Sequence, residues 1–211
     1  MTQPEFAARI EAYMNANGMT LSKDKGTLNI VYIEGCNHDG TPNADLPNRW
    51  NDRRLVLSFY GSGFQIKLNY RATTEPGKYY TQNPLHKYGA ARIAFGQYKA
   101  WQFGKHQGVQ PALVQVAPVK VHRDINRDGK RSPNDPIDTG IFGINQHTTK
   151  FGTPPAEVGK YSAGCLVGWS YAQHIEFLDL VATDVRYLDS RKDFIFETAI
   201  LPGDKFFSFH V

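Results

Sequence analysis

Three segments of this chain show the apolar patterns of β-strands. Residues 28–33 and 55–60 are apolar almost throughout, and residues 64–70 alternate apolar and polar side chains. A two-residue period is typical of a strand with one buried face, and a short continuous apolar run is typical of a strand buried on both faces. The residues at 61–63, Gly-Ser-Gly, separate the last two segments and predict a tight hairpin. The chain is therefore expected to build its core on a β-sheet.

Further along the chain, the pattern predicts more strands and two helices. Strands are predicted at residues 91–101, 113–116, 119–122, 194–200 and 206–209. One helix is predicted at residues 4–17, packed on the sheet. The other is predicted at residues 170–188, where Ser170 and Gln173 form a capping box and His174 lies on the solvent face. The expected fold is mainly β with two helices.

Size and composition favour one globular domain. The chain has 211 residues, of which 41% are hydrophobic and 21% are charged. This length allows a single sizeable core, and we expect residues 1–211 to form one domain. No run of 18 apolar residues is present, which excludes a helical membrane span. The N-terminal residues lack the basic region and apolar core of a secretory signal.

Charge and cysteine content argue against a nucleic-acid-binding protein and against a disulfide-stabilised scaffold. The net charge is +4, the pI is near 9.0, and lysines and arginines are scattered without the spacing of a helix-turn-helix or a zinc finger. We therefore expect no nucleic-acid partner, while a mildly basic chain fits adsorption to an anionic polymer such as a bacterial wall. Two cysteines are too few for a disulfide scaffold, so both are expected to be free thiols.

One histidine and one cysteine carry the candidate chemistry. His147 is followed, after fourteen residues, by Ser162, Ala163, Gly164 and Cys165. A thiol becomes a useful nucleophile when a base or a positive environment favours the thiolate, and His147 is the candidate base. Gly164 permits backbone torsions that would let the N–H groups of Gly164 and Cys165 converge on an oxyanion. The N-terminus of the helix that follows is expected to help hold the thiolate.

This arrangement resembles the signature of L,D-transpeptidases with a YkuD-type catalytic domain. That family has a His, a spacer of similar length, Ser or Thr, then His, Gly, Cys, an apolar residue, and Asn or Arg. By position, the nucleophile, base, motif serine and preceding glycine correspond to Cys165, His147, Ser162 and Gly164. The resemblance also implies that a backbone carbonyl, here that of Thr148 or a neighbour, orients the histidine.

Two positions depart from the family pattern. Ala163 stands where the family usually has its second His, and Val167 stands where it usually has Asn or Arg. The family uses those two side chains around the substrate or the cysteine loop. The chain is therefore interpreted as a divergent branch, with a motif-bearing region that covers about residues 112–169.

The resemblance implies a fold, a function and a location. The fold would be the β-sandwich-like catalytic fold of the family. Cys165 would attack the carbonyl that precedes D-Ala in a peptidoglycan stem peptide, giving an acyl-enzyme with no cofactor required for catalysis. The site of action would be the bacterial cell wall or periplasm. Because no secretory signal is recognised in this chain, residence in the cytoplasm until export or release is the alternative.

Three functional interpretations stay open at this point. The first is a transpeptidase, and the second is an L,D-carboxypeptidase or lytic peptidoglycan peptidase that uses the same acyl-enzyme. The third is a non-catalytic, calcium-stabilised wall-binding module, since a cysteine between small and apolar residues is commonly an inert core residue. Asp138 lies upstream of His147 and could complete a triad, but residues 138–140 are more typical of a turn.

The segment from Asp124 to Asp135 has the spacing of an EF-hand-type calcium loop. Oxygen-bearing side chains occupy loop positions 1, 3, 5, 9 and 12, glycine stands at position 6, and a backbone carbonyl is available at position 7. Arg131 at position 8 and the strand-like flanks depart from an EF-hand. A structural calcium site is one interpretation, and an Asp- and Asn-rich turn without an ion is the other. The predicted ligands are Asp124, Asn126, Asp128, Lys130, Ser132 and Asp135.

Two polar loops are candidates for substrate binding. Residues 34–51 form a long loop in which Cys36, His38 and Asp39 are a weak candidate for a metal site or a second Cys-His pair. The second loop, at residues 71–90, is rich in aromatic and cationic side chains. A groove for a peptide carboxylate could use Tyr79, Tyr80, His86, Lys87, Tyr88 and Arg92, with ordinary surface packing as the alternative. The two loops are expected to build the cleft for a second stem peptide.

Overall fold

The structure, a computed structural model, describes residues 1–210 apart from the side chain of Lys192. Its strands are β1 (Asn29–Ile33), β2 (Asp52–Phe59), β3 (Phe64–Thr73), β4 (Ala90–Ile93), β5 (Gly96–His106), β6 (Gln110–Gln115), β7 (Val119–Asp124), β8 (Ile137–Gly140), β9 (Gln146–Thr148), β10 (Leu166–Gly168) and β11 (Phe196–Leu201). Its α-helices are α1 (Gln3–Ala16), α2 (Lys78–Gln82), α3 (Tyr171–Val181), α4 (Val185–Ser190) and α5 (Gly203–Ser208), and a 3₁₀ turn covers Arg191–Asp193.

Eight of the strands form one closed sheet. Their order is β1-β11-β5-β6-β9-β10-β3-β2, and β1 closes the circuit by pairing with both β2 and β11. The predicted hairpin at residues 61–63 is confirmed, since β2 and β3 pair as antiparallel neighbours. A second, antiparallel sheet has the order β4-β7-β8. The mainly β prediction is therefore confirmed.

The continuous apolar runs of β1 and β2 are explained by burial of both strand faces. Successive side chains on a strand point to opposite faces. Tyr32 and Val56 belong to the cluster that fills the inside of the closed sheet, together with Trp101. Val31 and Leu55 point the other way, into a cluster that α1 and α5 cover. Burial of one such aliphatic side chain contributes about 1.5–3 kcal/mol, so these strands anchor both clusters.

Helix α1 closes the outer cluster, close to the range predicted for it. The Thr2 side chain accepts from the Glu5 N–H, and the Glu5 carboxylate accepts from the Thr2 N–H at 2.7 Å, which together form a capping box. The apolar face of α1 places Phe6, Ile10 and Met14 in the buried outer cluster. Among the described residues, no helix has the length and apolar character needed to cross a membrane.

The helix count and the C-terminal prediction are wrong. The described residues form five α-helices rather than two. The predicted helix at 170–188 breaks after Val181, because Asp184 caps a new helix: its carboxylate accepts from the Arg186 N–H at 2.9 Å. Ser170 makes no capping bond with its side chain. The predicted strand at 206–209 falls largely in α5, whose Phe206 packs against α1.

Candidate active site

Two adjacent parallel strands bring the histidine and the cysteine together. His147 lies in β9 opposite Val167 of β10, and Cys165 directly precedes β10. The parallel register aligns Gln146 with Leu166, so His147 lies close to the start of β10 and to the cysteine that precedes it. A ring nitrogen of His147 and the Cys165 Sγ lie within 4.8 Å of one another. The sequence spacing thus corresponds to proximity in the fold.

A backbone carbonyl fixes the tautomer of His147. The His147 Nδ1 lies 2.9 Å from the Thr148 oxygen. A carbonyl can only accept, so Nδ1 carries the proton and Nε2 presents a lone pair. This is the Thr148 contact that the family resemblance implied. Burial lowers the pKa of His147 to about 3, and the neighbouring His106 ring and Arg54 guanidinium lower it further. The imidazole is therefore a neutral base at physiological pH.

Cys165 is a neutral thiol at rest. Burial raises its pKa to about 11, and its Sγ donates to the Gly143 carbonyl at 3.4 Å. The resting pair is therefore thiol and imidazole rather than thiolate and imidazolium. The predicted thiolate, held by the N-terminus of the next helix, does not describe the resting site. Proton transfer to His147 would have to accompany attack on a substrate.

The turn before the nucleophile is held by Ser162 and requires a glycine at 164. The Ser162 hydroxyl donates to the Cys165 carbonyl at 2.9 Å and accepts from the Gly164 N–H at 3.1 Å. Gly164 has φ +123°, and an added Cβ would lie 2.4 Å from the Ala91 oxygen. The Gly164 N–H, predicted as an oxyanion donor, is already occupied. The Cys165 N–H has no hydrogen-bond partner within residues 1–210.

A cavity of about 330 Å³ opens directly onto the thiol. Its lining includes Cys165, His147, His106, Arg123, Lys160 and Ala163. Ala163, one of the two departures from the family pattern, thus faces open space beside the nucleophile. Val167, the other departure, is fully buried against Trp50 and Val158. The small side chain at 163 enlarges the site, whereas the one at 167 has become part of the core.

A second cavity of about 480 Å³ meets the first at the histidines. Both are lined by His106, Gln107, His147, Lys160 and Tyr161, and the second continues to Gln110 and Lys150. The second cavity is thus built by residues 106–110 and 147–161. The predicted loop at 34–51 instead lines a separate cavity that contains Cys36 and His38.

The predicted groove residues at 79–92 divide between the site and the core. Tyr80 and His86 line the first cavity. Arg92 does not, because it is buried and forms an ion pair with Glu75. Residues 78–82 form helix α2. Two of the predicted groove residues therefore line the cavity. Arg92 belongs to the core, where it forms an ion pair with Glu75.

Arg54 is a functional candidate that pattern reasoning missed. This arginine is fully buried beneath the site, where its Nη2 donates to the His147 carbonyl at 3.2 Å. Its Nη1 donates to Nδ1 of His174 at 2.9 Å, and the His174 Nε2–H donates to the Pro111 carbonyl at 3.0 Å. The predicted solvent exposure of His174 is therefore wrong. The available signal was a charged residue directly before the apolar run at 55–60, since a charged residue that a strand carries into the core requires a partner.

Two other residues, His106 and Asn145, were also missed. The His106 and His147 rings stack with centroids 3.8 Å apart and planes 5° apart. Asn145 Nδ2 lies 3.0 Å from the His106 Nδ1. No local pattern connects a histidine at the end of β5 with one in β9, since only the closed sheet places them together. Asp138, the alternative triad member, lies in strand β8 rather than in a turn and pairs with Arg123 at 2.9 Å.

Two clusters place three ligand atoms of His, Cys, Asp or Glu within 4.8 Å in the described part of the chain. In the first, His106, His147 and Cys165, the stacked rings argue against an ion. A metal binds an imidazole nitrogen along its lone pair, in the ring plane, and two parallel planes do not meet at one point. In the second cluster, Glu34 and Glu75 form ion pairs with Arg131 and Arg92. Two of the three carboxylates there are therefore already paired with arginines.

The predicted calcium loop connects β7 and β8. The buried Asp124 accepts from the N–H groups of Asp128 at 3.1 Å and Gly129 at 2.9 Å, and Gly129 has φ +73° at the predicted sharp turn. Asp135 accepts from the Ser132 N–H at 2.8 Å, while its other oxygen is buried without a partner in the described residues. These bonds fit a calcium loop and an ion-free turn equally, so calcium stays a prediction.

Comparison with known proteins gives the chain no relative. No protein-family model, no curated protein and no solved structure matches it.

Proposed function

We propose that this protein is a cysteine acyl-transfer enzyme with Cys165 as nucleophile and His147 as general base. The observation that carries the proposal is the pairing of a thiol with an imidazole of fixed tautomer, within 4.8 Å, at the floor of a cavity. A buried inert cysteine has no need of a neutral base beside it. The oriented base and the open cavity are what nucleophilic catalysis requires.

The proposed reaction begins with attack on a carbonyl carbon. The Cys165 proton passes to His147 Nε2 as the sulfur–carbon bond forms and the carbonyl electron pair moves to oxygen. Collapse of this intermediate expels the amine, which takes the proton from His147 and leaves a thioester. An acceptor amine or water then attacks the thioester, again with His147 as base. Ser162 and Thr148 hold the turn and the base in place.

The proposed substrate is a peptidoglycan stem peptide, and the leaving group is D-Ala. This part of the proposal rests on the resemblance to L,D-transpeptidases in the residues His147, Ser162, Gly164 and Cys165. We propose accordingly that the two sheets are a version of the β-sandwich-like fold of that family, in one domain that acts in the wall or periplasm. The cavity fits an anionic peptide, because Lys160 and Arg123, the latter also paired with Asp138, line it and no carboxylate does so within the described residues.

Transfer to an amine is favoured over hydrolysis by the second cavity. A transpeptidase must bind an acceptor beside the acyl-enzyme, and the second cavity shares His147 with the first. An acceptor amine placed there would meet the base that has to deprotonate it. The carboxypeptidase alternative needs only water and would leave this second space without a function.

Intact-mass spectrometry after incubation with a carbapenem, a probe that L,D-transpeptidases typically accept, tests the proposal. We expect one covalent adduct on the wild-type protein and none on Cys165→Ala or His147→Ala. Purified muropeptides then separate the alternatives: cross-linked dimers indicate transfer, and tripeptide with free D-Ala but no dimer indicates hydrolysis. A folded wild-type protein that takes no adduct and changes no muropeptide, yet binds isolated wall, would instead establish the wall-binding module.

A further inference from the structure

His106 lies beside both residues of the proposed catalytic pair, His147 and Cys165. It stands at the end of β5, half-buried, and lines both cavities. Its ring stacks on the ring of His147, and one of its nitrogens lies within 4.8 Å of the Cys165 Sγ. A group at this distance from the sulfur can reach an oxygen on the carbon that the sulfur attacks.

The hydrogen bonds of Asn145 determine which His106 nitrogen carries the proton. The Gln115 N–H donates to Asn145 Oδ1 at 2.9 Å, which fixes the orientation of the amide. Asn145 Nδ2, which can only donate, therefore faces His106 Nδ1 at 3.0 Å. His106 Nδ1 must accept, so the proton of the neutral ring is on Nε2. Burial lowers the pKa of His106, which favours that neutral form.

The proposed reaction lacks a second oxyanion donor. Acyl transfer is normally assisted by two or more donors aimed at the oxygen that becomes negative. The Gly164 N–H is bonded to Ser162, which leaves the Cys165 N–H alone at this turn. The His106 Nε2–H is a fixed donor in the same cavity, and it has no hydrogen-bond partner in the described residues.

We propose that His106 is a catalytic residue whose Nε2–H donates to the oxyanion together with the Cys165 N–H. The inference rests on the proposed acyl-transfer function of the same site. During attack, the Cys165 proton moves to His147 Nε2, the sulfur–carbon bond forms, and the carbonyl π pair becomes the oxyanion lone pair. His106 stabilises that charge without giving up its proton. The ring keeps its tautomer because Asn145 and Gln115 do not change.

The substitution H106F tests this role. Phenylalanine retains a flat ring that can stack on His147 but has no N–H donor. Two rates are measured on Cys165 in the C36A background: acylation by a carbapenem, which passes through an oxyanion, and alkylation by iodoacetamide, which does not. We expect acylation to fall about 100- to 1000-fold, the loss that follows removal of one oxyanion donor. Alkylation is expected to stay within about threefold, since the Cys165 thiol and the Nδ1–H bond of His147 to the Thr148 carbonyl are retained.

A matched substitution and a conservative one complete the experiment. H38F makes the same change at an exposed histidine outside both cavities and is expected to alter neither rate. H106Q keeps an N–H donor and is expected to retain more acylation than H106F, which also covers the case in which H106F fails to fold. Equal acylation rates for wild type and H106F, or for H106Q and H106F, would overturn the donor role. A parallel loss of acylation and alkylation would also overturn it, because His106 would then act only by positioning His147. No acylation of the wild-type protein would contradict the proposed function itself.

Discussion

The two cysteines of this chain occupy similar local structures and differ in one neighbour. Cys36 and Cys165 are both buried free thiols, and each follows a glycine with positive φ. Each donates to a backbone carbonyl, at 3.2 Å for Cys36 and 3.4 Å for Cys165. Burial raises both pKa values, to about 12 and about 11 respectively. Both also line a cavity. Burial, a preceding glycine and an adjacent cavity therefore do not by themselves mark a nucleophile.

What distinguishes Cys165 is an imidazole with a free lone pair. His147 uses Nδ1 for the Thr148 carbonyl, which leaves the lone pair of Nε2 without a hydrogen bond in the described residues. The histidine nearest in sequence to Cys36 is His38, and its Nδ1 is bonded to Arg53 at 3.0 Å. The comparison predicts that two thiols of similar pKa react very differently with an acylating reagent.

The largest expected effect is on covalent labelling by a carbapenem. Cys165→Ala should abolish the adduct, because no other thiol in the chain has a neutral base beside it. Cys36→Ala should leave the adduct at the wild-type level. Intact mass and peptide mapping measure both. Labelling that survives Cys165→Ala and disappears with Cys36→Ala would reverse the assignment of the nucleophile.

The glycine before each cysteine allows a second, smaller test. Gly164→Ala places a Cβ 2.4 Å from the Ala91 carbonyl oxygen, a backbone atom, at φ +123°. Gly35→Ala meets the Asp45 side chain at 3.0 Å at φ +61°, a left-handed conformation that an L-residue can adopt. We expect losses of roughly 3 kcal/mol for Gly164→Ala and about 1 kcal/mol for Gly35→Ala.

Chemical denaturation of the two variants measures these losses, and carbapenem labelling shows their effect on the site. Gly164→Ala should also impair acylation, since the turn that aims Cys165 must move, while Gly35→Ala should not. Equal destabilisation by the two substitutions would contradict the view that only the Cys165 turn is constrained by backbone.

The elements that sequence could predict are those with a local pattern. Strands β1 to β3 and helix α1 follow from apolar periodicity, and the proximity of His147 and Cys165 was predicted from the spacing of the motif. The residues that were missed depend on contacts between distant parts of the chain. Arg54 reaches His147 and His174 only because the sheet closes. A short aromatic run such as residues 206–209 is compatible with a strand or a helix. In the structure it lies largely in helix α5, which packs against α1.

Calcium binding to the loop at 124–135 offers a third test, because this loop is connected to the turns that hold both cysteines. Asp124 ends β7, which pairs with β4, and Ala91 of β4 packs against Gly164. Arg131 of the same loop binds Glu34 at 2.6 Å, just before Gly35. Calcium that binds only the folded protein stabilises it by about 2.7 kcal/mol at a hundredfold excess over Kd.

Such a stabilisation should raise Tm by about 5 to 10 °C for a chain of this size. The double variant Asp124→Ala, Asp128→Ala should remove the difference between millimolar calcium and chelator. Carbapenem labelling should stay confined to Cys165 with calcium and with chelator. An identical Tm with calcium and with chelator in the wild-type protein would establish the ion-free turn instead.

The smallest expected effect is that of pH on the acylation rate of Cys165. A flat profile would indicate that thiol and imidazole are both neutral at rest. Charged and titratable groups face His147 from several elements: His106 in β5, Arg54 in β2, His174 in α3, and Cys165. Burial, His106 and Arg54 oppose a charge on His147, whose pKa is about 3, while burial keeps Cys165 protonated up to about pH 11. The reactive form, neutral thiol with neutral imidazole, is therefore the main species between those two values.

Acylation of Cys165 should consequently change by less than about threefold between about pH 5 and pH 9, and should fall only as the pH approaches the pKa of His147. Alkylation of Cys36, measured in Cys165→Ala, needs the free thiolate and should rise about tenfold per pH unit over the same range. Stopped-time labelling at each pH, with circular dichroism to verify folding, gives both profiles. A bell-shaped Cys165 profile, which rises at acid pH as the thiol ionises and falls as the imidazolium loses its proton, would show that a thiolate–imidazolium pair is the reactive form. The two cysteines would then differ in the charge of the thiol at rest, and not only in the base beside it.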